Sequence, residues 1–390
     1  MSKTISFIIF FSIVLVVYGS INFYVYIRTL KIVPPSSSFR ILFIILFWFL
    51  ASSYLLARLL EKYLVSWLVS SFIWIGSLWL AVIVYVFLFL LVVDVLKFLN
   101  HLFHFSPQML FSDPNLLARC VFLPGFLLVL IVIIMGRLNA ISPRVVNLEL
   151  EIEKKASISE LNIVALSDLH LGTLVCNDHF LRIVKMVNSL NPDIVLLVGD
   201  IVDEDIQPVI EQNLGETLRL ISSKYGVYGV TGNHEFFGGV DKACKYLEEH
   251  GVNMLRDETV KVANSFVILG RDDITIQRFE GKRRKSIKEL INVTDLTLPK
   301  ILLDHQPLNL SEVAENDIDL ALFGHTHYGQ LWPFNLIASM IYEVSWGYKR
   351  KGNTHIYVSC GIGTWGPPIR TSSRPELLNI KLKLKGTSER

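Results

Sequence analysis

Residues 193–203 read DIVLLVGDIVD. The apolar run reads as a short strand buried on both faces, and it stops at Gly199, with Asp200 and Asp203 just beyond it. The same pattern recurs four times. Residues 161–167 (LNIVALS) end at Asp168-Leu169-His170, and residues 226–230 lead into Gly232-Asn233-His234-Glu235. Residues 300–303 end at Asp304-His305, and residues 318–323 at Gly324-His325-Thr326-His327. A buried strand followed by a glycine or polar turn and then a chelating side chain places ligands outside strand ends, as open α/β sheets do.

Between these strands, residues 178–190 carry helical spacing at Phe180, Ile183, Val184 and Val187, broken by Asn191-Pro192. Residues 208–222 and 241–250 are two further expected helices. Residues 260–269 are strand-like, and 356–359 and 377–384 are late strands. Strand and helix alternate first, and strands then follow one another. That order predicts two sheets packed face to face with helices outside, an α-β-β-α layered sandwich over residues 161–390. Residues 139–160 are expected to be a linker and first strand region.

The 390-residue chain is 52% hydrophobic, and the excess lies in residues 1–138. That stretch predicts an all-α transmembrane bundle, with spans of about 20 residues at 5–27, 41–60, 64–93 and 120–135. A Pro/Ser loop at 34–38 separates the first two, and Pro124-Gly125 is expected to kink the last. The first span is too long for a signal peptide and three more follow it, so it is expected to stay. Asp94, Lys97, His101 and His104 fall after the third span, and no charged pair is expected inside the bundle. The chain is therefore expected in the plasma or inner membrane as a multi-pass protein in contact with the lipid bilayer. Basic residues divide five against five between the two sets of loops and assign no side to the half that follows.

Residues 1–138 hold 9 Lys+Arg against 3 Asp+Glu, and residues 139–390 hold 28 against 32. A net-acidic second half argues against nucleic-acid binding. Cys120, Cys176, Cys244 and Cys360 are scattered without a metal or disulfide spacing. Oligomeric state has no signature in the sequence.

The chemistry of the five patches is that of a two-cation site. Asp168 and His170, one residue apart on a loop, can face one cation. Asp200 has two oxygens and can bridge two. Asn233 offers a neutral carbonyl oxygen, and His305, His325 and His327 supply imidazoles. Mixed Asp/His/Asn sets suit two divalent ions of the Mn, Fe or Zn kind. Two cations sharing a carboxylate hydrolyse phosphate esters.

All five blocks, in this order, resemble the calcineurin-like metallophosphoesterase superfamily, whose pattern is D-x-H, G-D-x-x-D, G-N-H-E/D, H and G-H-x-H. The resemblance implies that Asp168, His170, Asp200 and His327 hold one metal, and Asp200, Asn233, His305 and His325 the second. It implies that His234 donates a proton to the leaving oxygen and that Asp203 orients it. Glu204 stands where the protein Ser/Thr phosphatases of this superfamily have Arg, which counts against a phosphoprotein substrate. The tail, through Gly361-Ile362-Gly363-Thr364, Pro367-Pro368-Ile369-Arg370 and Pro375-Glu376, is similar to the bacterial membrane-associated subgroup, with Tyr328 where Gly is common. That subgroup acts on envelope precursors, so a phosphorylated lipid or envelope-precursor substrate is implied. A tethered phosphodiesterase of soluble nucleotides and a non-catalytic scaffold are the alternatives.

Arg370 is a candidate substrate-phosphate contact. Asp205, Asp272 and Asp273 read as solvated loop charges. Lys282-Arg283-Arg284-Lys285 reads as a solvated face that also suits anionic headgroups. Residues 331–340 (LWPFNLIASM) and Trp346 read either as core or as an apolar lip beside the His325/His327 loop.

Overall fold

The computed structural model describes residues 3–33, 38–61, 63, 66–105, 114–292 and 297–386. The loop expected at 34–38 lies outside the described residues except for Ser38, as does the expected start of the third span at Leu64. The chain forms two compact units, Met1–Arg137 with Gly366–Ile369, and Leu138–Trp365 with Arg370–Arg390.

The first unit contains α1 (Lys3–Leu30), α2 (Ser38–Glu61), α3 (Trp67–Phe103) and α4 (Ala118–Ala140), each long and apolar enough to cross a membrane. With 37 residues, α3 is about 55 Å long. It takes in Asp94, Lys97 and His101, which the sequence reading put beyond the span. Asp94 pairs with Arg28 of α1 and accepts a hydrogen bond from the Tyr24 hydroxyl at 2.6 Å. An ion pair between helices thus stands where none was expected, because its two halves are far apart in sequence. The indole N–H of Trp79 donates to Asn22 Oδ1 at 3.0 Å, and the Tyr18 hydroxyl donates to the Ala51 carbonyl at 2.7 Å. The irregularity expected at Pro124-Gly125 falls just before it, as a π-helical turn over Ala118–Phe122.

In the second unit the strands are β1 (Arg144–Ala156), β2 (Glu160–Leu166), β3 (Ile194–Val198), β4 (Val227–Val230), β5 (Val252–Met254), β6 (Glu258–Val262), β7 (Phe266–Gly270), β8 (Lys300–Leu303), β9 (Leu320–Phe323), β10 (Gly347–Lys351), β11 (Thr354–Val358) and β12 (Glu376–Gly386). They form two six-stranded sheets ordered β1-β12-β2-β3-β4-β5 and β10-β11-β9-β8-β7-β6. The helices that follow α4 in this unit are α5 (Asn177–Ser189), α6 (Gln207–Glu211), α7 (Leu214–Leu218), α8 (Asn233–Gly238), α9 (Val240–Glu249), α10 (Ile276–Phe279), α11 (Ile287–Ile291), α12 (Leu310–Glu315) and α13 (Phe334–Ile341).

The two-residue period of the strands builds the layers. In β2 and β3, Ile163, Ala165, Ile194, Leu196 and Val198 meet Ile268, Ile301, Leu303, Leu320 and Leu322 from the other sheet in one core. The alternate residues Val164, Leu166, Val195 and Leu197 pack on α5 to α10. Val267, Leu269, Leu302, Ala321 and Phe323 pack on α11 and α12. This is the α-β-β-α sandwich. Differences from the sequence reading are local. The helix expected over 208–222 is two short helices, because Asn213 sits at φ 55° and breaks it. The strand-like 260–269 is a hairpin whose turn places Ala263 and Asn264 at φ 51° and 50°.

Candidate metal centre

β2, β3 and β4 run parallel, as do β8 and β9. Their carboxyl ends therefore open on one edge of each sheet, and every candidate ligand leaves from such an end. The loops continue the sheet's hydrogen bonding past the strands. Asp168 N–H donates to Gly199 O at 3.1 Å, His170 N–H to Asp200 O at 3.0 Å, and Gly324 N–H to His305 O at 2.9 Å. Asp168, His170, Asp200, His325 and His327 all have left-handed backbones, with φ of 53°, 48°, 48°, 71° and 47°. Such a conformation costs a non-glycine residue about 1–3 kcal/mol and gathers at functional sites. Gly199, at φ 76°, has no alternative: a Cβ there would lie 2.5 Å from His305 Nδ1.

The side chains form two clusters, the first buried and the second buried except for the half-buried Asn233 and His325. In the first, Asp168, His170 and His327 bring their ligating atoms within 4.8 Å of one another. His170 Nε2 and His327 Nε2 are 3.0 Å apart, and His327 Nε2 lies 3.4 Å from Asp168 Oδ1. In the second, Asp200, His305 and His325 come together. His305 Nε2 lies 3.0 Å from Asp200 Oδ2, and Asn233 Oδ1 lies 2.8 Å from His325 Nδ1. Asp200 Oδ2 is also 3.9 Å from His170 Nε2, so this carboxylate stands between the clusters.

His305 tests whether these groups fit a cation. Its Nδ1 lies 2.8 Å from the Val198 carbonyl, which can only accept a hydrogen bond. The proton on Nδ1 leaves Nε2 with a lone pair aimed at a carboxylate, and that atom is buried without a hydrogen-bond partner. At this distance from a carboxylate, Nε2 either carries a second proton or shares a cation with it. Burial pushes the His305 pKa down, but Asp200 and then Asp168 outweigh it and raise it well above the ordinary value. Burial, reinforced by His170 and Arg370, pushes His327 well below its ordinary value. Burial and His305 also lower His325. Without a cation, a second proton on His305 answers the field of Asp200 and Asp168; with His325 and His327 neutral nearby, a divalent cation can take that proton's place.

His234 belongs to a third group with His170 and Asp203. Its Nδ1 lies 3.2 Å from Asp203 Oδ1, and its backbone N–H donates to Asp200 Oδ1 at 2.9 Å. Burial pushes its pKa down, and Asp200, Asp203 and Glu204 outweigh that to raise it to about 9. An imidazolium is therefore held at neutral pH beside both clusters.

A family model described as calcineurin-like phosphoesterase matches residues 161–329. An uncharacterized metallophosphoesterase of Aquifex aeolicus is 32% identical over 245 residues, which cover 62% of this chain and 93% of that one. The chain belongs to the calcineurin-like metallophosphoesterases. A Danio rerio protein named as a transmembrane protein with metallophosphoesterase domain is 35% identical over 262 residues, 64% of this chain. The match spans 59% of that relative's own length. An uncharacterized metallophosphoesterase of Campylobacter jejuni is 28% identical over 389 residues, 97% of this chain and 99% of its own. Membership of this family implies phosphoester hydrolysis and divalent metals.

Other residues of this metallophosphoesterase fall where the sequence did not put them. Arg370 is fully buried at 0% exposure. Its nitrogens donate to Gly363 O, Cys360 O and Ser373 Oγ, and Nη2 lies 3.1 Å from His327 Nδ1. Arg370 thus lies buried behind His327, where the sequence reading expected a substrate-phosphate contact. Glu235 is a site residue the sequence reading left without a role. Its carboxylate accepts from Val202 N–H at 2.9 Å and Gly232 N–H at 2.7 Å, tying the Asp200 loop to the Asn233 loop. Its place three residues after Gly232, from which a Glu side chain can reach back to accept from the backbone N–H at the start of the helix, was the available signal.

Asp272 and Asp273, read as solvated, are buried. Asp272 accepts from Thr231 and Arg256, and Asp273 from Gln306 at 3.0 Å. The basic run is paired within the unit. Lys282 meets Glu280, Arg283 meets Glu289, Arg284 meets the buried Asp304 at 2.8 Å, and Lys285 Nζ donates to Asp257 O. Glu280 and Glu289 lie within six residues of their partners, whereas Asp304 and Asp257 come from distant loops, which no local reading of a charge run reveals. The stretch 331–340 divides. Leu331 is buried, and Trp332, Phe334, Leu336, Ile337 and Met340 are exposed. Two exposed aromatics flank His234, with ring centroids 5.4 Å away for Phe237 and 5.8 Å for Trp365.

Proposed function

We propose that the chain is a membrane-anchored phosphoesterase that works with two divalent cations. Asp168, His170, Asp200 and His327 would hold one, and Asp200, Asn233, His305 and His325 the other. The observation that carries this reading is His305 Nε2, buried, unpartnered and 3.0 Å from Asp200 Oδ2. When bound, such a pair supplies Lewis acidity to a phosphoryl oxygen and activates water at neutral pH. His234 holds a proton for the leaving oxygen, and Asp203 keeps its ring in place. Glu235 fixes the two loops that carry Asp200 and Asn233.

The proposed substrate is a phosphate ester or pyrophosphate of a lipid or envelope precursor. Three things support it: four helices of membrane-spanning length, a relative named as a transmembrane protein, and exposed aromatic side chains beside the proton donor. The proposed location is the plasma or inner membrane, crossed by all four helices.

The test is hydrolysis of bis-p-nitrophenyl phosphate and p-nitrophenyl phosphate by the full chain in detergent with Mn. Turnover that needs the metal and disappears in Asn233→Ala and His234→Ala is the expected result. Stoichiometric metal binding without turnover on any ester would sink the enzyme reading. For the substrate class, activity on detergent-dispersed phospholipid and lipid pyrophosphate should far exceed activity on nucleotides. Equal rates would remove the lipid assignment and leave the hydrolase.

A further inference from the structure

Helix α13 presents apolar side chains to solvent. Of its eight residues, FNLIASMI, Ala338 is buried, whereas Leu336, Ile337, Met340 and Ile341 are exposed, Met340 at 77%. Trp332 and Phe334 extend the surface at the start of the helix. Scattered exposed apolar residues are ordinary, but a contiguous set on one helix marks a contact surface. Residues 331–342 contain no charged side chain.

We propose that α13 is an interfacial helix, lying in the plane of the bilayer with its apolar side chains among the upper acyl chains. Three observations choose a lipid surface as the occupant. First, α4 ends at Ala140 and β1 begins at Arg144, so this unit is joined to a helix of membrane-spanning length by three residues, a reach of about 10 Å. Second, Trp332 precedes the helix and Tyr342 follows it, and such amphipathic rings favour the headgroup level. Third, residues 343–351 set Lys349, Arg350 and Lys351 against the single acid Glu343, which the two lysines share, and Arg350 is exposed. That surplus of positive charge suits anionic headgroups.

The helix is coupled to the metal centre. The Tyr342 ring stands 6.2 Å from that of His325, and the Thr326 hydroxyl donates to Ser345 O at 2.6 Å. A bilayer seated on α13 therefore sets the height of the loop carrying His325 and His327. The inference goes beyond the hydrolase reading and does not depend on turnover.

The test uses the full chain, with Cys120→Ser and Cys176→Ser, reconstituted into vesicles of phosphatidylcholine and phosphatidylglycerol. A bimane fluorophore is attached at Met340→Cys, and in parallel at Ile337→Cys and at Leu220→Cys, the last on an exposed loop as reference. The expected result is blue-shifted emission from 340 and 337, quenching by doxyl-labelled lipid, and several-fold protection from aqueous iodide relative to 220. Equal iodide access at all three positions, with no quenching by doxyl lipid, overturns the proposal. Protection from iodide with self-quenching between labels and none by doxyl lipid also overturns it, because a second copy would then cover the helix.

Discussion

Arg370→Met separates a strut from a substrate contact. The substitution keeps most of the buried volume and removes every donor. The carbonyls of Gly363 and Cys360, now reached at 2.6–3.0 Å by the guanidinium, lose those hydrogen bonds inside the unit. Each unmet buried acceptor costs about 1–3 kcal/mol, so the pair costs about 2–6 kcal/mol. Relief from burying a charge offsets part of this, leaving about 3 kcal/mol. For a domain of this size that is a fall in Tm of about 6–12 °C, read by tryptophan fluorescence of the full chain in detergent. The guanidinium only donates, so beside His327 Nδ1 it does not fix the tautomer that leaves Nε2 free for a cation, and its removal should not weaken metal binding. KM for bis-p-nitrophenyl phosphate should barely move once metal is saturating. An unchanged Tm, with KM raised in both Arg370→Met and Arg370→Lys, would refute the reasoning and return Arg370 to the substrate.

Gly199→Ala forces a Cβ against His305 and holds alanine at φ 76°; an ångström's misplacement there should lower kcat by about 100-fold, and wild-type turnover would contradict that geometry. His234→Asn should lower kcat by about 100- to 10,000-fold with metal content unchanged, measured by elemental analysis beside the kinetics; metal lost in step with activity would make His234 a ligand instead. Asp317 lies 2.8 Å from Lys154 Nζ and 2.9 Å from Lys300 Nζ; burial raises its pKa, but the two lysines outweigh it and lower it. A lowered carboxyl stabilises the fold above its unfolded pKa and stops doing so as pH falls through its folded value. The Tm gap between wild type and Asp317→Asn should therefore be full above the ordinary carboxyl range and shrink as pH falls below it, and a gap independent of pH would rule out the ion pairs as its source.

The strand ends were legible because each announces itself locally. An apolar run followed by Gly199-Asp200 or Gly324-His325 carries its own stop signal, and β2, β3, β4, β8 and β9 lie where those runs are. What escaped depends on partners distant in sequence. β10 (GYKRK) has no apolar face and exists because β11 pairs with it. β1 alternates Leu148, Leu150 and Ile152 with Glu149, Glu151 and Glu153, a strand pattern, yet its place is set by residues 376–386. The charges misread as solvated failed for the same reason: Asp304 neutralises Arg271 and Arg284 from 20 to 33 residues away. The left-handed turns at Asp168, His170 and Asp200 left no mark in the sequence beyond the residue types that tolerate them.

β12 lies between β1 and β2, parallel to the first and antiparallel to the second. Translation delivers β1 more than two hundred residues before the strand that joins it to its sheet. Through that interval β1 emerges beside a membrane-length helix with both its edges open, a state that invites pairing with foreign strands. The first sheet therefore closes in one late event rather than growing outward from its beginning. A premature stop between residues 328 and 375 leaves the five blocks of candidate ligands intact in sequence but removes the strand between β1 and β2, so the cell's quality control would meet the missing tail as a folding failure rather than as a lost active-site group.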